Sequence, residues 1–413
     1  MINTSIREVS MLQQLIESKN LHMEHLEDNI LNGGVDGTRQ TINFLRALRD
    51  MLSGSSGSNV NISVKWDGAP SIFAGTDPRD GKFFVAKKSI FNKNPKVYKT
   101  FDDIDEDLSG DLNQKFKIAL RFLPQLNIDG IIQGDFLFTK KDLEVNRING
   151  QRYLTFQPNT IVYSVPLDSE LAGDIKRSRM GVVWHTKYVG NDFESLRAIF
   201  NQSFVDRLTP SRNVWFTDAI YRDVSGTATM KAGETEIVNS LLSRAGSLFN
   251  KVSKREFNRI VDNDPLLIRI KTFNNSKIRE GQGIDDPVAH VKEMEQYLYN
   301  YFENEMDKRT TERGKAAVAL KRQAMMDDFV PSELVKIFMI YNIIVRCKKI
   351  FINKLSKASS LDTFILTNKG FKVTNQEGFV VADRMGTNAV KLVDRLEFSY
   401  SNFSPEVIKG FQR

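Results

Sequence analysis

Four charged residues lie within or directly beside apolar, strand-like segments of the chain: Lys65, Asp135, Glu377 and Lys391. Burying a charged side chain is unfavourable unless its charge is paired or bound to a ligand. Carboxylate oxygens bind divalent metal ions, and a lysine binds phosphate or, once deprotonated, acts as a nucleophile. A single polar ligand that contacts all four residues explains their positions better than four independent coincidences do.

The most specific local pattern is Lys-Trp-Asp-Gly at residues 65–68. Apolar residues alternate with polar ones over 60–64, which predicts a strand that ends at Lys65. Alone, these four residues fit a solvent-facing Asp-Gly turn equally well. The charged residues in the three later strand segments favour a binding or catalytic site instead.

Together these segments resemble the motifs of the covalent nucleotidyltransferase superfamily, which includes ATP-dependent DNA ligases, RNA ligases and mRNA capping enzymes. The first motif of that family contains a lysine that becomes covalently adenylylated or guanylylated, and Lys65 occupies its place. The later motifs are matched, in chain order, by a basic residue at Lys87 or Lys88, by Gly134-Asp135, by the strand Thr160–Val165 with Tyr163 where an aromatic ring stacks on the base, by Glu377-Gly378-Phe379-Val380, and by Val390-Lys391-Leu392.

The resemblance implies an ATP-dependent polynucleotide ligase. Neutral Lys65 would attack the α-phosphate of ATP and expel pyrophosphate, leaving a lysyl–AMP phosphoramidate, while Lys391 holds the α-phosphate oxygens. AMP would then pass to the 5′-phosphate of a nucleic acid, and a 3′-hydroxyl would displace it. In the same resemblance, Asp135 and Glu377 bind the ribose or a Mg²⁺ (or Mn²⁺) ion, and the other nucleotide-binding residues are Asp67, Gly68, Lys87, Lys88 and Tyr163.

The chain departs from the family pattern at three positions. Pro70 replaces an arginine found in many DNA ligases, Asp135 replaces a glutamate, and Val393 occupies the place of a second lysine. An alternative hypothesis is therefore a nucleic-acid-binding or assembly protein with a degenerate, catalytically inactive nucleotidyltransferase fold. Transfer of AMP to a protein or a small molecule is also open.

The order of helical and strand patterns predicts an α+β fold, and the resemblance makes its body an antiparallel-β adenylation domain. We expect an N-terminal helical segment at 1–58, the first part of the nucleotidyltransferase domain at 59–234, a helical accessory insertion at 235–368, and return strands at 369–413. We also expect no C-terminal OB-fold, because few residues follow the last motif. Its lack favours RNA over DNA as the substrate.

Local patterns predict individual elements as well. Asp286 followed by Pro287 is typical of a helix N-cap and first helical residue, and Ser53–Ser58 is a Gly/Ser-rich linker. The apolar periodicity predicts helices at 5–30, 38–52 and 112–126 and strands at 128–138, 160–165, 181–188, 378–381 and 389–396.

Other conspicuous residues permit simpler interpretations. We expect Trp184 and His185 to pack in the core, and no metal site at His22 and His25, because further ligands are lacking. The lysines at 87, 88, 93, 96 and 99 fit either a solvated hairpin face or a phosphate-binding surface.

Composition sets wider limits on partners and location. The chain has 58 Lys+Arg against 51 Asp+Glu, and a net charge of +7 over 413 residues permits a polyanionic partner without requiring one. The single cysteine, Cys347, excludes an internal disulfide and favours a reducing compartment. Because no apolar run reaches the roughly 20 residues that span a bilayer, we expect a cytoplasmic protein with no membrane partner. The sequence also resembles proteins of tailed bacteriophages, in which case the cytoplasm is that of the host.

Overall fold

The structure is a computed structural model that describes residues 25–54, 60–200, 204–220, 229–356, 361–383 and 389–410. These residues form two compact units. The first unit comprises the described residues of 66–220, together with Ala389. The second comprises the described residues of 25–65, 229–383 and 390–410, so the chain passes from the second unit to the first between Lys65 and Trp66.

The strands of the described residues are, in chain order, β1 (Val60–Lys65), β2 (Ser71–Thr76), β3 (Phe83–Ala86), β4 (Ile131–Thr139), β5 (Glu144–Ile148), β6 (Gln151–Phe156), β7 (Ile161–Pro166), β8 (Met180–Val189), β9 (Arg197–Phe200), β10 (Val214–Asp218), β11 (Asp362–Thr367), β12 (Gly370–Val373), β13 (Gly378–Asp383), β14 (Ala389–Leu392) and β15 (Val407–Ile408).

The α-helices of the same residues are α1 (Asp28–Asn32), α2 (Gly34–Leu52), α3 (Phe101–Asp107), α4 (Gly110–Phe122), α5 (Glu170–Arg177), α6 (Ala232–Phe249), α7 (Lys254–Asp262), α8 (Asp264–Arg279), α9 (Pro287–Asp307), α10 (Glu312–Asp328), α11 (Pro331–Leu355) and α12 (Arg395–Phe403). The mixture of helices with largely antiparallel sheets is an α+β fold, as the sequence predicts.

The first unit is built around a sheet with the strand order β10-β8-β4-β2-β3, in which β9 also pairs with β8. Strand β10 runs parallel to β8, and the other neighbours are antiparallel. Successive side chains of β2 point to opposite faces, so Ile72 enters the main core with Phe116 of α4 while Phe73 enters a smaller cluster on the other face. Strands β5, β6 and β7 form an antiparallel meander in the same unit.

The second unit contains a three-stranded sheet with the order β1-β13-β14, and strand β11 pairs with both β12 and β15. Its core is helical and centres on α11, where Leu334, Phe338, Ile344, Cys347 and Phe351 are all fully buried. A broad apolar helix face of this kind must be buried against other elements. Helix α11 accordingly packs against α6 and α9.

Several local predictions are confirmed. The helix predicted at 38–52 spans Gly34–Leu52, and that at 112–126 spans Gly110–Phe122, followed by a 3-10 turn. The Asp286 carboxylate caps α9 by accepting hydrogen bonds from the Val288 and Ala289 amides at 2.9 and 3.2 Å. Residues 5–24 of the first predicted helix, and residues 55–58 of the linker, lie outside the described residues.

One strand prediction is wrong in its second half. The strand predicted over 389–396 ends at Leu392, and residues 395–403 form helix α12 instead. The cause is Asp394, whose carboxylate accepts hydrogen bonds from the Leu396 and Glu397 amides and so begins a helix. No helix within the described ranges is long and apolar enough to cross a membrane.

Candidate functional site

The structure brings Lys65 and Glu377 together in the second unit. Strand β1 pairs antiparallel with β13 in a register that puts Lys65 opposite Gly378. Glu377 directly precedes β13, and its carboxylate forms an ion pair with the Lys65 ammonium group. Because 25% of the Lys65 side chain and only 8% of the Glu377 side chain are exposed, the pair is partly shielded from water. Two residues distant in sequence thus form one charged centre.

A glycine beside Glu377 is required by the packing. Gly378 has a φ of +150°, a backbone conformation that other residues rarely adopt. A Cβ atom there would overlap the carbonyl oxygen of Leu392 and approach Val393 Cγ2 to 2.8 Å. The Glu-Gly pair of the predicted Glu377–Val380 motif therefore combines the carboxylate with the close approach of its strand to the segment after β14.

Lys391 lies on β14, in the same sheet as Lys65. It forms a parallel β-bridge with His25, and the Leu26 amide donates a hydrogen bond to the Lys391 carbonyl oxygen at 3.3 Å. Burial, followed by the charges of Arg395, Lys348, Lys391 and Lys65, lowers the pKa of His25 to about 2. The two predicted site lysines thus lie within Coulombic range of one neutral histidine.

Asp67 anchors the turn that follows Lys65. Its buried carboxylate accepts hydrogen bonds from the side-chain amide of Asn159 at 2.8 Å and from the backbone amides of Thr160 and Ile161, each at 2.7 Å. The Asp67 amide itself donates to the hydroxyl of Tyr163 at 2.6 Å. All these contacts lie within the first unit, and they give Asp67 a positioning role.

The prediction that the Tyr163 ring stacks on a nucleotide base needs correction. Only 2% of Tyr163 is exposed, and its ring packs against Trp66 at 4.9 Å and Phe156 at 5.5 Å between centroids. A ring enclosed in this way has no open face for a base. Tyr163 therefore supports the Trp66–Asp67 turn, and Trp66, which is partly exposed, is the aromatic side chain nearer to solvent.

Gly68 and Asp135, both predicted nucleotide-binding residues, are neighbours in the first unit. A Cβ atom on Gly68 would lie 2.5 Å from the Asp135 Cβ, so only glycine permits this approach. The Ala69 amide donates to the Phe136 carbonyl oxygen, and the Phe136 amide donates to the Pro70 carbonyl oxygen, both at 2.9 Å. The segment after the Lys-Trp-Asp-Gly pattern thus extends the pairing of β2 with β4.

The prediction that His185 packs in the core is wrong. Trp184 is fully buried, but 24% of the His185 side chain is exposed, and its Nε2 atom lies 3.6 Å from Asp135 Oδ2. The missed signal is Gly134, because a glycine inside a strand often marks a bulge that redirects the side chains opposite it.

The predicted basic residues on the first unit are largely engaged by acidic ones. Lys87 and Lys96 contact the Asp107 carboxylate at 3.0 and 2.6 Å, while Lys88 is exposed at the start of a 3-10 turn. Lys99 contacts the carboxylates of Asp77 and Asp80. Hydrogen bonds from Lys96, Tyr98 and Lys87 hold the pKa of Asp107 well below its usual range. The run therefore fits a paired hairpin face rather than an open phosphate-binding surface.

The two predicted metal ligands differ in their surroundings. The Asp135 side chain is 23% exposed and accepts no hydrogen bond from the described residues, so its carboxylate fits a divalent ion. The Glu377 carboxylate is engaged by Lys65. These two acids belong to different units. Across the described ranges, no group of three or more His, Cys, Asp or Glu side chains is arranged to hold a metal.

Residues 20–407 match the Family of unknown function (DUF6267), and the chain belongs to that family. No curated protein and no solved structure matches the chain. The family description carries no activity, so the function has to be inferred from the residues of the site.

Proposed function

We propose that the chain is an ATP-dependent polynucleotide ligase that acts through a covalent lysyl–AMP intermediate at Lys65. The observation that carries the proposal is the ion pair between Lys65 and Glu377. The two residues come from the best-matched motifs of the nucleotidyltransferase resemblance, and antiparallel pairing of β1 with β13 makes them neighbours. A solvent-facing Asp-Gly turn, the simpler interpretation, does not require a shielded carboxylate at the lysine.

The ion pair supplies the proton acceptor that the first step needs. Attack on phosphorus requires a neutral amine, and the Glu377 carboxylate already contacts the ammonium group that must lose its proton. A bond forms between Lys65 Nζ and the α-phosphorus, the bond from that phosphorus to the bridging oxygen breaks, and pyrophosphate leaves. Nζ loses two protons in all: one passes to Glu377 before the attack, and the other passes to the departing pyrophosphate as the nitrogen–phosphorus bond forms.

Lys391 provides a second positive charge in the same sheet. As the α-phosphate passes through the transition state its oxygens gain negative charge, which a nearby ammonium group stabilises. The resemblance also implies a divalent ion, which would supply further positive charge when bound, and the Asp135 carboxylate of the first unit is a fitting ligand for such an ion. The tight turn held by Asp67 fixes the backbone directly after the nucleophile.

The later steps follow from the chemistry of the resemblance. AMP passes from Lys65 to the 5′-phosphate of a polynucleotide, and a 3′-hydroxyl then displaces AMP to form the phosphodiester. The proposed substrate is RNA rather than DNA, and the helices between residues 235 and 355 form the proposed accessory domain. The proposed location is the cytoplasm.

Incubation with α-labelled ATP and Mg²⁺ tests the proposal. The wild-type chain should retain acid-labile label, and Lys65→Arg should retain none, because the guanidinium keeps the ion pair but does not deprotonate. Lys336→Arg is the matched control. Lys336 pairs with a carboxylate of similar shielding, Glu333, in the same unit, and this variant should label normally.

Label that survives Lys65→Arg would overturn the assignment. Label from GTP instead of ATP would indicate a capping-type enzyme. Absence of label from any nucleotide, together with salt-sensitive binding to single strands, would instead support the inactive nucleic-acid-binding alternative.

A further inference from the structure

His185 is the extra residue of a β-bulge. Along the pairing of β4 with β8, Gln133 lies opposite Thr186 and the next residue, Gly134, lies opposite Trp184, so His185 has no direct partner. A Cβ atom on Gly134 would overlap the Val183 carbonyl oxygen, so the bulge depends on glycine at this position. Bulges of this kind redirect a side chain and recur beside functional sites.

The His185 ring lies beside the Asp135 carboxylate, at a point of the sheet where both side chains are partly exposed. Trp184 and Thr186, on either side of His185, are buried at 0% and 1% exposure. The side chains of His185 and Asp135 are 24% and 23% exposed. A small ligand from solvent can therefore reach both polar groups.

The two groups are close without being hydrogen bonded. His185 Nε2 lies 3.6 Å from Asp135 Oδ2, which is longer than a hydrogen bond. The other ring nitrogen, Nδ1, lies 2.7 Å from the Thr186 hydroxyl oxygen. When Nδ1 donates its proton to Thr186, Nε2 presents a lone pair toward a carboxylate oxygen. Two electron-rich atoms facing one another are stabilised by a cation between them.

The spacing and the ligand types suit a metal ion. Metal–nitrogen and metal–oxygen bonds of about 2.1 Å, at a tetrahedral angle, separate the two ligand atoms by about 3.4 Å. A metal-bound histidine commonly donates its second ring N–H to a nearby oxygen, the place that Thr186 occupies here. Mg²⁺ takes oxygen ligands almost exclusively, whereas the divalent first-row transition metals, among which Mn²⁺ binds most weakly, also accept an imidazole nitrogen.

We propose that Asp135 and His185 together bind a divalent first-row transition-metal ion in preference to Mg²⁺. Only the catalytic role of this metal site rests on the proposed function. In that role, the site determines which divalent ion Asp135 binds. Water molecules complete the coordination, since two protein ligands leave the remaining positions open.

Electron paramagnetic resonance of Mn²⁺ with the full chain, without nucleotide, tests the inference. The wild-type chain should bind Mn²⁺, and millimolar Mg²⁺ should displace it poorly. Asp135→Asn and His185→Phe should each weaken Mn²⁺ binding by about 10- to 100-fold, and Thr186→Val should weaken it as well. Asp129→Asn is the control. It removes an exposed carboxylate that pairs with Lys187, a residue of the same strand as His185, and it should leave Mn²⁺ binding unchanged.

Three outcomes would overturn the inference: no Mn²⁺ binding by the wild-type chain, equal affinity in His185→Phe, or equally effective competition by Mg²⁺. The second would show that His185 is not a ligand of the bound ion. Because this measurement uses no nucleotide, the Mn²⁺ binding result does not depend on whether lysyl–AMP forms. Normal lysyl–AMP formation with no Mn²⁺ preference would overturn the metal site alone.

Discussion

The Glu377 carboxylate is paired with the ammonium group of Lys65, across the end of the β1–β13 ladder. Nothing in the sequence of either strand predicts which strand it pairs with. Their pairing nevertheless brings the Lys65 motif and the Glu377 motif together. The carboxylate pairs with the charged amine, and in the proposed reaction it accepts a proton from that amine. This relationship makes Glu377 a direct participant in the proposed chemistry.

Glu377→Gln should slow the formation of lysyl–AMP by about 100-fold, because the amide cannot accept the proton of the amine. The time course of label incorporation measures the rate. Glu333→Gln changes the ion-paired acid of similar shielding on α11, and it should leave the rate unchanged. Equal rates for Glu377→Gln and the wild-type chain would remove Glu377 from the proton transfer.

A second ion pair has a structural role. Lys348 and Glu27 are both 1% exposed, and the ammonium group contacts the two carboxylate oxygens at 2.5 and 2.6 Å. Lys348→Met should lower the free energy of unfolding by about 3–5 kcal/mol, because it leaves Glu27 buried without its partner. Urea unfolding measures the change.

The Lys354–Glu234 pair on the same helix is the matched control. Glu234 is 33% exposed, so water can solvate it after Lys354→Met. The loss of unfolding free energy should therefore be clearly smaller for Lys354→Met than for Lys348→Met. The double variant Glu27→Gln with Lys348→Met should recover part of the loss. A smaller effect for Lys348→Met than for Lys354→Met would contradict the role assigned to burial.

The stability of the second unit should fall in mild acid. Burial, reinforced by Arg395 and Lys348, lowers the pKa of His25 from 6.5 to about 2, and burial lowers that of His290 from 6.5 to about 4. Below pH 6.5 the unfolded chain binds protons that the folded chain excludes, so stability is lost as the pH falls.

Each histidine should contribute up to about 2 kcal/mol to this loss between pH 7 and pH 5, where carboxylates stay largely ionised. Urea unfolding at the two pH values measures it. His25→Asn should retain about half of the pH dependence. An unaltered dependence in that variant would show that His25 takes up a proton in the folded chain.

Tyr163→Phe should lower the free energy of unfolding by about 1–3 kcal/mol, because the buried amide of Asp67 loses its acceptor. Tyr188→Phe is the control. The Tyr188 hydroxyl donates to Gln133 at 2.7 Å, and water can replace it at that partly exposed amide. Thermal unfolding compares the two variants, and similar losses would argue against the positioning role of Tyr163.

Sequence patterns predict the local elements of this chain better than its register. The alternation before Lys65 predicts β1, and Asp286-Pro287 predicts the start of α9, because both signals depend on neighbouring residues alone. The wrong half of the strand at 389–396 shows the limit, since the Asp394 cap competes with the apolar pattern around it.

The site shows the same division between local and long-range information. Lys65, Asp135 and Glu377 are found from residue type and strand position. The displacement of His185 depends on how β8 pairs with a distant glycine, and the enclosure of Tyr163 depends on rings from other segments. Neither can be derived from the sequence near those residues.

Intact-mass spectrometry of the full chain, incubated with ATP and Mg²⁺ or Mn²⁺ and then with pyrophosphate, tests the central claim most directly. The account predicts an added AMP that peptide mapping assigns to Lys65, that pyrophosphate removes, and that Lys65→Arg never acquires. An AMP adduct on another residue, or a chain that remains unmodified with either metal ion, would contradict it.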